Sequence, residues 1–215
     1  MTVFGNKIFA KMAAMAILAS VLTISGCAKD SYATKGAVEG AKTGAIAGAV
    51  GGVVTSLIFG GNVGEAAARA AVFGASSGAV VGGMAGSSVD KSQGPPASPP
   101  TNSENELAKM RDELGVDAYN GIIALSDCKH DVAIANAREA GKSDNKESQL
   151  AGLWIEALAE ADRQQEPAAR ALYPEIVAKD KKLKSNSDAE ARLREGLNEL
   201  GEIRESFGMT AVCPE

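Results

Sequence analysis

Glycine recurs at every fourth position in two blocks of this chain, at Gly36, Gly40, Gly44, Gly48 and Gly52 and again at Gly74, Gly78, Gly82 and Gly86. Four residues is slightly more than one helical turn, so each block draws a bare stripe along one helix face. A glycine costs about 1 kcal/mol in a helix relative to alanine. A sequence that accepts this repeatedly is expected to recover it through close backbone approach. Each four-residue step also advances about 40° around the helix, so the stripe winds and suits the right-handed crossing of i±4 ridges. A winding stripe offers backbone to more than one neighbour, and a homo-oligomer is expected.

The first block runs from Lys35 to Phe59 and the second from Val63 to Ser88. Between them, Phe59-Gly60-Gly61-Asn62 is a turn signal, because glycine and asparagine tolerate positive φ. Glu65 and Arg69 stand i, i+4 at the start of the second block, a spacing that supports a helix. Residues 35–89 are thus expected to form an antiparallel two-helix hairpin. Its first uncharged core, residues 43–59, would reach roughly 25 Å, marginal for spanning a bilayer. Full or partial insertion is expected, with a surface-lying zipper as the alternative. No GxxxxGK[ST] pattern accompanies the glycines, which argues against a phosphate-binding loop.

Residues 1–26 have the layout of an export signal: Lys7 and Lys11, then a short apolar run from Met12 to Ile24. The run ends in Ile24-Ser25-Gly26-Cys27, which resembles the lipobox of bacterial lipoproteins. That resemblance implies cleavage before Cys27, diacylglycerol on its thiol and an acyl chain such as palmitate on the new amino terminus. Several acyl chains anchor stably where one is marginal. Residues 27–34 would be a lipidated tether. Ala28, where aspartate would retain a lipoprotein at the inner membrane by analogy with enteric bacteria, points to the outer membrane. Lipobox, glycine hairpin and Gly-Gly-Asn turn together resemble the glycine-zipper lipoproteins of the rickettsial 17 kDa surface antigen type, over residues 20–90. The resemblance implies an outer-membrane protein linked to envelope integrity and surface antigenicity, without catalysis. The long C-terminal half departs from that pattern.

Residues 90–102, with two Pro-Pro pairs, read as a semi-rigid linker. From Ser103 onward 15 basic face 23 acidic side chains, a net of −8. Such a module is a poor partner for nucleic acid or anionic lipid. Apolar residues at helical spacing run throughout residues 103–215. Ser103/Glu106, Asp144/Glu147 and Ser187/Glu190 read as capping pairs. The first helix would carry Leu107, Met110, Leu114, Ala118, Ile122 and Leu125 without interruption. Pro167 suits a first turn, whereas Pro174 should kink or break its helix. The fold class is therefore all-α: a hairpin plus a separate small helical bundle. A weak period of about 35 residues relates Tyr119, Ile122, Ile123, Ala133, Ile134 and Ala137 to Trp154, Ala157, Leu158, Ala168, Ala169 and Leu172. That spacing resembles tetratricopeptide repeats, without their full set of landmarks.

Cys128 and Cys213 form an even pair in an exported chain, and a disulfide between them is expected. The lone His130 lies among Asp127, Cys128 and Asp131, but four ligands at zinc-like spacing are absent, and it reads as a solvated helix-start residue. The lysines 179, 181, 182 and 184 read as a solvated helix end suited to the macrodipole. No acid/base or nucleophile pair stands out, so neither catalysis, cofactor nor metal is expected. The sequence points to a structural or partner-scaffolding lipoprotein of the outer membrane. Its partners would be membrane lipid, further copies of itself, and a periplasmic protein on residues 103–215. A membrane-permeabilising or secretion-associated oligomer, pore or collar, is the alternative.

Overall fold

The computed structural model describes residues 32–72, 74–75 and 110–213. Cys27, Gly78, Gly82, Gly86, the proline-rich linker and the Ser103/Glu106 pair lie outside these residues. Among the described residues the secondary structure is helical, without strands.

Helix α1 spans Tyr32–Phe59 and ends where Gly60 (φ 84°) and Gly61 (φ 118°) enter the left-handed region. Only glycine adopts that region without steric penalty, so two in succession stop the helix and reverse the chain. Asn62 Oδ1 then accepts from the Glu65 amide at 2.8 Å, capping α2 (residues 63–72 and 74–75). The Arg69–Glu65 ion pair closes at 2.7 Å on its exposed face.

The C-terminal helices are α3 (Val116–Ser126), α4 (His130–Ala140), α5 (Lys146–Asp162), α6 (Glu166–Lys179) and α7 (Asn186–Ser206). The helix expected to run through Leu107–Leu125 is instead broken at Gly115, whose φ of 86° separates a helical turn at 110–114 from α3. Asn145, not Asp144, caps α5, accepting from the Glu147 and Ser148 amides. Ser185, not Ser187, caps α7 by accepting from Asp188. Pro174 leaves α6 unbroken. Its ring lies on the exposed side, as does Arg170, whose carbonyl loses its partner, so water can replace the missing bond.

Consecutive helices from α3 to α7 pack on one another, and α3, α5 and α7 also pack side by side. These three form the face on which α1 lies. Where the sequence suggested a hairpin and a separate bundle, one hydrophobic core joins them. Val50, Val53, Val54 and Leu57 of α1 are fully buried in the same cluster as Leu114, Ile122, Trp154, Ile155, Leu158 and Leu200. Each such side chain contributes about 1.5–3 kcal/mol when taken from water. An apolar face of Val, Leu and Ile is satisfied as well by protein as by lipid, and periodicity cannot tell which one covers it.

Candidate functional site

The glycines on one side of α1 set its contact with α2. A methyl group added to Gly48 would lie 2.2 Å from the Ala70 carbonyl oxygen, and one on Gly52 would lie 2.5 Å from that of Ala66. From the other helix, a methyl on Gly74 would meet the Gly44 carbonyl oxygen at 1.9 Å. Any side chain at these three positions collides with backbone, so the two helices touch main chain to main chain. Gly36 and Gly40 lie further toward the N-terminal end of α1 and are half-buried.

The other side of α1 meets the helical array. Gly51 faces Met110 and Ile122: a methyl there would be 2.7 Å from the Met110 sulfur and 3.7 Å from Ile122 Cγ2. Gly196 is the corresponding notch on α7. A methyl on it would sit 3.3–3.5 Å from Leu158, Leu57 and Val53, so its bare backbone gives α1 room to settle. Leu193, Gly196 and Leu200 share one apolar face of α7, a signal present in the sequence but not distinguished there from ordinary core.

Charge organises the turn end of the hairpin. Lys182 Nζ donates to the Ile58 carbonyl, and Arg192 Nη1 donates to that of Ser56 at 3.3 Å. The last carbonyls of a helix carry its negative end, which both cations complement; Lys182 gives the Ile58 carbonyl a partner, while Arg192 shares the Ser56 carbonyl with the Gly60 amide, which donates to it at 2.8 Å. The lysine cluster is therefore not merely solvated: Lys182 reaches across to α1. Glu199 Oε2 lies 3.0 Å from where a methyl on Gly64 would project, over the positive first turn of α2. Burial, and then the charges of Glu202 and Glu195, push the Glu199 pKa up.

A second cluster lies beneath the disulfide. Cys128 and Cys213 are bonded, with Cα atoms 5.6 Å apart, and tie the chain end to the α3–α4 junction. Arg204, 1% exposed, donates from Nη1 and Nη2 to the two oxygens of Asp162 at 2.8 and 2.7 Å. It also reaches the carbonyls of Leu125 and Ala211. His130 Nε2 donates to Asp162 Oδ2 at 2.7 Å, with a largely buried ring. His130 is thus a bridging residue between α4 and α5, not the solvated group expected. Burial alone would raise the Asp162 pKa, but the bonds and charges of Arg204 and His130 outweigh it and hold the carboxyl below its ordinary value.

His130, Asp162 and Cys213 place potential ligand atoms within 4.8 Å of one another. The disulfide leaves Cys213 no thiolate to offer a metal, and Asp162 already neutralises a buried guanidinium. This arrangement holds α3, α4, α5, α7 and the chain end together. Arg204 follows Leu200 by four residues on the apolar side of α7, so a charge within that stripe was the one sequence signal for it. The chain matches no protein-family model, and no curated protein or solved structure is similar to it.

Proposed function

We propose that this chain is a non-catalytic bacterial envelope protein, lipid-anchored at Cys27 in the outer membrane. In this reading a glycine-zipper hairpin is displayed on a tetratricopeptide-like helical scaffold facing the periplasm. The observation that supports it best is the cover over α1. Lys35–Phe59 is long and apolar enough to cross a membrane, yet 72% of its most apolar stretch is buried inside the protein. A helix so covered serves assembly rather than permeation.

The anchor is tested by Cys27→Ala. The substituted chain should retain its export signal, lose incorporation of labelled palmitate and leave the outer-membrane fraction. Unchanged mature mass and fractionation would remove the lipoprotein reading. The pore or collar alternative draws on the same length and apolarity of α1. It requires α1 to leave the scaffold, and conductance across vesicles carrying purified protein separates the two readings.

A further inference from the structure

We propose that the face formed by α3, α5 and α7 binds the hairpin of a second copy of this chain, so that neighbouring molecules join by exchanging hairpins. The face is complementary to the hairpin, because the same segment of this chain already sits there in cis. Val53 and Leu57 pack at Gly196 and Leu158, and Gly51 packs at Met110 and Ile122. Lys182 and Arg192 hold the carbonyl end of α1, and Glu199 faces the amide end of α2. Every one of these contacts is non-covalent, and every receptor residue lies in the C-terminal array.

The hairpin reaches the array only through residues 76–109, which fully extended would span at most about 120 Å. That length permits docking on the chain's own array or on one nearby. Reciprocal exchange rebuilds each buried contact without uncovering any apolar surface. Transfer of α1 into lipid has no such balance, because it bares Ile122 and Leu158, both fully buried here. A second copy therefore suits the receptor face better than the bilayer does as a destination for the hairpin. The choice between cis and exchanged pairing is set by local concentration. Resting on the lipid-anchored reading above, confinement to one membrane surface would favour exchange.

The test uses the full lipidated chain in phosphatidylethanolamine/phosphatidylglycerol vesicles. Phe59, 47% exposed and next to the Lys182/Arg192 clamp, is replaced by benzoylphenylalanine in unlabelled protein, which is mixed with an equal amount of ¹⁵N-labelled protein carrying the same replacement. Irradiated products are then mapped by mass. Exchange predicts interchain crosslinks ending within residues 182–199, about half of them mixed-isotope, and a several-fold larger share when surface density rises tenfold. Crosslinks to 182–199 that stay within one chain at every density would overturn exchange and leave the docked hairpin intact. Absence of crosslinks to 182–199, with label transferred to lipid, would overturn both exchange and the scaffold-held hairpin.

Discussion

Arg204 and Asp162 form a two-pronged ion pair with 1% and 7% of their side-chain surfaces exposed, bridging α7 to the end of α5. Removing one partner from such a pair leaves a desolvated charge, a loss of about 3–5 kcal/mol. Arg204→Leu should lower stability by that order in urea unfolding. The double variant Arg204→Leu/Asp162→Leu should recover part of the loss, since it buries neither an unpaired carboxylate nor an unpaired guanidinium and gives up only the His130 hydrogen bond, a smaller cost. A double variant less stable than Arg204→Leu would contradict this account.

The same pair sets acid sensitivity. With its folded pKa below the ordinary 3.8, Asp162 contributes stability that is complete above 3.8 and is lost as pH falls through the lower folded value. Glu199 acts with opposite sign. Its folded pKa is raised above 4.5, so the folded state binds the proton more tightly, and stability rises as pH falls through that window. Urea midpoints from pH 7 to 3 should first rise slightly and then fall. Glu199→Gln should abolish the rise, and Asp162→Asn should flatten the later fall.

Much of this architecture can be read from the residues alone. The stripe Leu150, Leu153, Trp154, Ala157 and Leu158 marks the buried face of α5, and an even pair of cysteines behind an export-like leader suffices to suggest their bridge. The Gly-Gly-Asn turn is equally local, because positive φ is a property of the residues themselves. What could not be read depends on partners far away in sequence. Lys182 caps a helix whose acceptor, Ile58, lies 124 residues earlier. The Asp162–Arg204 pair is separated by 42 residues. Neither spacing has a periodic signature. Gly51 and Gly196 posed a different difficulty: glycine spacing reveals where a backbone can be approached, but not by which helix.

That difference gives a direct comparison of two glycines. A methyl on Gly48 meets the Ala70 carbonyl oxygen at 2.2 Å, whereas the nearest atom to one on Gly201 lies at 3.6 Å, an ordinary contact. Gly201→Ala should raise stability by about 0.5–1 kcal/mol through helix propensity alone. Gly48→Ala receives the same propensity gain but must force α1 and α2 apart, an overpacking cost of about 1–3 kcal/mol or more. Thermal unfolding of the two variants should move in opposite directions. A stabilised Gly48→Ala protein would show that the seam between α1 and α2 is looser than described.

The disulfide should act chiefly on the unfolded chain. Cys128 and Cys213 are separated by 85 residues, and closing a loop of that length removes enough chain entropy to contribute roughly 4–5 kcal/mol as a ceiling. Cys128 has φ of 59° at the α3–α4 junction, a conformation that costs a non-glycine residue about 1–2 kcal/mol. Cys128→Ser keeps that backbone cost and loses the bridge. Cys128→Gly loses the bridge but relieves the backbone. In a Cys213→Ser background the glycine variant should therefore be the more stable of the two by about 1 kcal/mol in urea unfolding, both lying several kcal/mol below the bridged protein. Non-reducing mass mapping of the parent should recover Cys128 and Cys213 in one linked peptide pair. If the serine and glycine variants unfold together, Cys128 carries no backbone cost and the bridge accounts for the whole difference.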